Sequence, residues 1–127
     1  DKDFNYITND IKAVVDAAKA EGAKFGKKII VKVILETCYL DDETIIQCCL
    51  CAKQANADFV KTSTGFVKGG VGAKVEDVKL MYETVSPHGL LVKASGGIRD
   101  KETAIQMLKS GAERLGTSSG VKIVSNP

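Results

Sequence analysis

The chain has 127 residues, 44% hydrophobic and 27% charged, with a formal net charge of +2 from 18 basic and 16 acidic side chains. These proportions fit one globular domain, whose native surface should be roughly 6,500 Å² at this size, and they exclude intrinsic disorder. With no basic block, no Trp and aromatics at 6%, the chain lacks the clustered cationic face and stacking rings of a nucleic-acid partner.

Residues 4–21 place Ile7, Ile11, Val14, Val15 and Ala18 on one helical stripe, and Gly22 reads as its stop. Residues 29–36 (IIVKVILE) form a near-continuous β-branched run, as in a parallel strand covered on both faces. Asp41 or Asp42 can cap the next helix, which carries Ile45, Ile46, Cys49 and Leu50 and ends at Asn56. A second strand is expected at 58–63, followed by a loop with Gly65, Gly69, Gly70 and Gly72, then a helix marked by Val75, Val78, Tyr82 and Val85. A third strand at 89–95 leads to Gly96 and Gly97. Asp100 then caps a helix reaching about Lys109 and stopped by Gly111. A short strand at 113–116 and a last helix near 120–123 complete the pattern. One helix followed by four strand–helix units is the signature of an α/β fold with parallel strands, read as a single segment over residues 1–127.

No membrane partner is expected, because the longest apolar block is strand-sized and interrupted by Lys32. The opening Asp1, Lys2, Asp3 lacks a secretory pattern. Cys38, Cys48, Cys49 and Cys51 read as reduced thiols of a cytoplasmic protein, and His88 has no metal-ligating company, so neither a metal nor a cofactor is expected.

Two lysines stand where a buried strand should be apolar. Counting by twos, Phe59, Lys61 and Ser63 share one face, and Leu91, Lys93 and Ser95 share the corresponding face one crossover later. If the strands are neighbours in register, their backbones lie about 5 Å apart. Two ammonium groups at that distance repel by roughly 3 kcal/mol at an effective dielectric of ~20. Such a pair favours one neutral amine, which is what Schiff-base chemistry with a carbonyl requires. Each lysine could instead lay its stem in the sheet and its head in solvent, but two at matching positions, each followed by a glycine turn, favour chemistry. Lys32 is a third strand lysine on a face with Ile34 and Glu36, and Glu36 is expected to pair with a lysine.

Small-residue turns follow three strands: Ser63, Thr64, Gly65; Ser95, Gly96, Gly97; and Gly116, Thr117, Ser118, Ser119. Each precedes a helix at the sheet edge where α/β proteins bind ligands. Glycine lets backbone N–H groups approach an anion, and a helix N-terminus adds a favourable field. Together with the lysines they point to a phosphorylated carbonyl compound.

The runs VKVILET (31–37), ADFVKTSTGF (57–66), VKASGGIRD (92–100) and RLGTSSG (114–120) resemble deoxyribose-phosphate aldolase, a metal-independent class I aldolase on a TIM (βα)8 barrel. The resemblance implies the C-terminal half of such a barrel, four parallel strand–helix units preceded by one helix. It implies Lys61 as Schiff-base nucleophile and Lys93 as the neighbour that activates it. It implies Gly65, Gly96, Gly97, Gly116, Ser118 and Ser119 as the phosphate cradle. The implied reaction interconverts 2-deoxy-D-ribose 5-phosphate with acetaldehyde and D-glyceraldehyde 3-phosphate. Three departures accompany it. The family's first four strands and their proton-relaying aspartate have no counterpart, and none of Asp41, Asp42 or Asp58 matches that position. The loop 66–74 is about two residues longer than usual and lacks a Thr cap before Val75, and Asn56 replaces a glycine. Four strands without closure leave open edges, so a missing N-terminal half-barrel or a second copy is expected as partner, and the absent initial Met fits a longer polypeptide. An inactive phosphate-binding half-barrel and a different Schiff-base sugar-phosphate aldolase stay open as alternatives.

Overall fold

The computed structural model describes residues 1–125. Helix α1 (Phe4–Lys24) starts at Asp3, whose carboxylate accepts the Tyr6 N–H at 3.1 Å. Then come β1 (Lys32–Ile34), α2 (Asp42–Gln54), β2 (Phe59–Lys61), α3 (Val75–Val85), β3 (Leu91–Ser95), α4 (Lys101–Lys109), β4 (Arg114–Gly116) and α5 (Gly120–Ser125). Asp41 caps α2 through the Thr44 N–H and Asp100 caps α4 through the Thr103 N–H, each at 2.8 Å. Those bonds hold both carboxyls below the usual carboxylate range. Helix α3 begins at Lys74 with no side-chain cap, as its missing threonine implied.

The four strands are parallel and lie in chain order, β1-β2-β3-β4. A doubly wound sheet would reverse order at a switch point, whereas a barrel adds each strand on the same side of the last. The arrangement is half of a (βα)8 barrel. Its register pairs Ile34 with Lys61, Lys61 with Lys93, and Lys93 with Arg114. Side chains alternate across a strand, so the opposite, helix-facing side carries Val60, Val92 and Ala94, all fully buried. They join Ile45, Cys49, Val78, Met81, Val85 and Met107 in one core between sheet and helices.

The other face is open. Ile34 and Leu91 are 44% and 42% exposed there. The described surface totals 7790 Å², against roughly 6,500 Å² for a closed globule of this size. Phe59 is buried on this face all the same, because Lys32 and Arg114 place their cations 5.5 and 4.9 Å from its ring centroid.

Local expectations shift in three places. Helix α1 runs past Gly22, which is buried because an added Cβ there would meet the Ile29 side chain at 2.5 Å. The left-handed stop is Gly26 instead, at φ 64. Val14 is 57% exposed and lies off the stripe. Strand β1 uses only the middle of its apolar run, since Asp58 draws the Val31 N–H to its carboxylate at 2.8 Å and Glu36 turns left-handed at φ 57. Asn56 adopts φ 62, where asparagine serves in place of glycine.

All four cysteines are free, and three sit on α2. Cys48 and Cys51 stand at C-x-x-C spacing, but Cys51 is buried, with its thiol 3.5 Å from the Phe4 carbonyl. Burial, with a smaller contribution from Cys48, pushes the Cys49 thiol up to about 12. At pH 7.5 iodoacetamide is therefore expected to modify half-buried Cys38 and leave Cys49 untouched until the chain is unfolded in urea. Peptide mass mapping checks the order.

Candidate active site

Parallel pairing fixes the backbone of both strand lysines. The Lys61 carbonyl accepts the Leu35 N–H at 2.9 Å, and the Lys93 carbonyl accepts the Thr62 N–H at 3.1 Å. Beyond the lysines the two strand ends are tied by side chains. Thr62 Oγ1 donates to the Ser95 carbonyl and accepts the Ser95 N–H, both at 3.0 Å, and Ser95 Oγ donates to the Ser63 carbonyl at 2.7 Å. Lys61 and Lys93 are thus in-register neighbours on the open face, both half-buried. Their side chains line one cavity of about 410 Å³ together with Gly65, Gly96, Gly97, Gly116 and Ser118.

The turns above the lysines hold their shape through positive φ. Gly65, Gly96 and Gly97 take φ 87, 90 and 76, a region that costs other L-residues roughly 1–2 kcal/mol. The N–H groups of Gly65 and Gly97 make no hydrogen bond among the described residues, so they are donors available to an oxyanion. At Gly116 a Cβ would fall 3.0 Å from Ser95 Cβ and 3.1 Å from Lys93 Cε, so the missing side chain also makes room for the amine arm. Ser118 lines the cavity, whereas the Ser119 N–H is spent on Thr117 Oγ1 at 2.9 Å.

Two contributors escaped the sequence reading, and a third has a different partner from the one expected. Arg114 follows from alternation in β4, two residues before Gly116, and its guanidinium over Phe59 helps floor the open face. Arg99, just past the glycine pair, also lines the lysine cavity. Glu36 makes no lysine pair among the described ion pairs. Its carboxylate instead accepts the Thr64 N–H at 3.1 Å and the Thr64 hydroxyl at 2.6 Å. Asp41, Asp42 and Asp58, none of which matches the family's relay position, pair with neither Lys61 nor Lys93 among the described ion pairs. Asp41 caps α2, and Asp42 lies in the first turn of the same helix. Asp58 pairs with Lys19 at 3.2 Å, at the end of β2 away from the glycine turns.

A family model described as DeoC/LacD family aldolase matches residues 1–126. A curated deoxyribose-phosphate aldolase of Thermococcus kodakarensis is 56% identical over 124 residues, which is 98% of this chain and 51% of that protein. One from Clostridium tetani is 52% identical, covering 98% and 53%. A solved deoxyribose phosphate aldolase from Aeropyrum pernix superposes with a TM-score of 0.80 at 36% identity, covering 93% of this chain and 47% of that one. The chain spans about half the length of the curated relatives it matches. A parallel half-barrel carrying two in-register lysines beneath glycine turns, and this extent of sequence agreement, lead to one assignment: the chain belongs to the DeoC/LacD aldolase family.

Proposed function

We propose that this chain supplies the Schiff-base lysine and the phosphate cradle of a deoxyribose-phosphate aldolase, and that a further four strands close the barrel around them. The observation that carries the reading is the pairing of Lys61 with Lys93 on adjacent parallel strands, both lining one cavity with Gly65, Gly96 and Gly97. Lys61 is the nucleophile. Its Nζ adds to the C1 aldehyde of open-chain 2-deoxy-D-ribose 5-phosphate, and loss of water leaves a protonated imine. The C2–C3 bond then breaks, its electron pair moving toward the iminium nitrogen to form an enamine. The C3 hydroxyl loses its proton, and C3 to C5 depart as D-glyceraldehyde 3-phosphate. Protonation of the enamine at C2 and hydrolysis of the imine release acetaldehyde and restore the amine.

Lys93 is the second cation of the pair. It lies in register beside Lys61 in the same cavity, as the neighbour that activates the nucleophile. The phosphate is held by Gly65, Gly96, Gly97 and Ser118 through backbone N–H donors, with Gly116 leaving space and Ser119 opening the last helix. Arg99 adds positive charge at the same cavity. The base that takes the C3 hydroxyl proton is assigned to no residue of this chain and belongs to the completing half.

The test joins this chain to the N-terminal half of a curated relative and measures acetaldehyde released from 2-deoxy-D-ribose 5-phosphate. Turnover that disappears when the chain is omitted supports the reading. Phosphate binding without turnover selects an inactive cradle, and turnover of another sugar phosphate in preference selects a different aldolase.

A further inference from the structure

Glu36 lies at the end of β1, one strand away from Lys61, and adopts φ 57. That conformation is unfavourable for a glutamate, so the surrounding contacts must hold it. Its two carboxylate oxygens accept from Thr64: the backbone N–H at 3.1 and 3.3 Å and the hydroxyl at 2.6 Å. Thr64 Oγ1, having donated to Glu36, accepts the Phe66 N–H at 3.2 Å. The amides on both sides of Gly65 are thereby engaged, and the Gly65 N–H between them has no acceptor among the described residues. Gly65 lines the cavity that holds Lys61 and Lys93, and it also lines the smaller one beside Glu36. The turn therefore has a fixed outer side and one amide left for a ligand.

We infer that Glu36 is a positioning residue for the phosphate end of the substrate: acting through Thr64, it fixes the turn after Lys61 so that the Gly65 N–H is presented to the anion. This rests on the proposed aldolase reading and adds to it a residue on a different strand, which touches neither the nucleophile nor the substrate. Hydrogen bonds to an ionised carboxylate are about twice as strong as neutral ones, so a single acidic side chain suffices to hold a three-residue turn. Because Thr64 relays the effect, Glu36 and Thr64 act as one unit, and their substitutions should not add.

The test uses Glu36→Gly and Thr64→Val in the completed barrel. Glycine accepts φ 57 without strain, so Glu36→Gly removes the carboxylate while relieving the backbone, and valine keeps the shape of threonine. Two readouts are compared: kcat/KM for 2-deoxy-D-ribose 5-phosphate, and the rate at which acetaldehyde, which has no phosphate, is trapped on Lys61 by borohydride. The expected result for each variant is a loss of about 10- to 100-fold in the first, mainly through KM, with the second within about 3-fold of the parent. The double variant should lose no more than about 3-fold beyond the worse single one. Unchanged kcat/KM in Glu36→Gly overturns the inference, as does a parallel fall of both readouts, which marks general disruption. Failure of the parent itself to trap acetaldehyde on Lys61 overturns the aldolase reading instead.

Discussion

Lys61→Arg in the completed barrel is expected to lower kcat for cleavage of 2-deoxy-D-ribose 5-phosphate by about 10³-fold or more, with KM changed by less than about 5-fold. Arginine keeps a cation at the in-register position beside Lys93 and preserves the charge felt by a phosphorylated ligand. Its guanidinium offers no primary amine to form an imine, so the covalent step has no nucleophile. Separation of kcat from KM is the informative feature. If the lysine only attracted the anion, arginine would substitute for it and kcat would survive. Steady-state kinetics with an acetaldehyde-coupled assay distinguishes the two outcomes.

Gly72→Ala is expected to be nearly as damaging, for a reason remote from the chemistry. Gly72 takes φ 77, and an added Cβ would lie 2.5 Å from the Gly96 carbonyl oxygen and 2.6 Å from its carbon. The obstacle is backbone, which cannot rotate aside as a side chain can. To admit the methyl group, the loop must lift from the glycine pair and give up the Ala73 N–H bond to the Gly96 carbonyl, now 3.0 Å. Strain and overpacking together should cost about 2–4 kcal/mol. The same shift displaces Gly96 and Gly97 from the cavity, so KM for the phosphorylated substrate should rise by more than about 10-fold. Thermal melting and substrate titration check the two effects separately. Gly69→Ala is the matched comparison. It shares the positive φ, at 76, but nothing lies within 4 Å of its added Cβ, so it should lose some stability and leave KM unchanged.

Much of this was legible in the chain. The strand–helix alternation, the cap at Asp100, the left-handed Asn56 and the shared face of Lys61 and Lys93 follow from local patterns, and of the two cap candidates Asp41 and Asp42 the structure uses Asp41. What the residues could not display were effects set by distant neighbours. Gly22 looked like a helix stop, yet its lack of a side chain serves packing against Ile29, and Gly26 ends the helix. The run 29–36 looked like one long strand, but the Asp58 carboxylate and the left-handed turn at Glu36 shorten it at both ends. Glu36 invited pairing with a lysine because charge is visible in a sequence, while a hydroxyl and an amide 28 positions away are not. The space that Gly116 leaves beside Ser95 and Lys93 likewise depends on neighbouring strands that its position in the chain does not display.

The open face is where the proposed completing half would seat. A sheet with two free edges and exposed Ile34 and Leu91 leaves apolar surface that a closed barrel would cover. The lysines are half-buried on that same face. In the proposed aldolase, closing it would remove water from the cavity and shield the imine from premature hydrolysis, coupling assembly to chemistry through one surface.

The most direct measurement is borohydride reduction of the completed barrel in the presence of acetaldehyde, followed by peptide mapping. Hydride addition to the imine converts the reacting amine to an N-ethyl lysine, which marks the nucleophile permanently. That label is expected on Lys61 alone. Label on Lys93 or Lys32 with Lys61 unmodified, or no label in a protein that still cleaves the sugar phosphate, would contradict it.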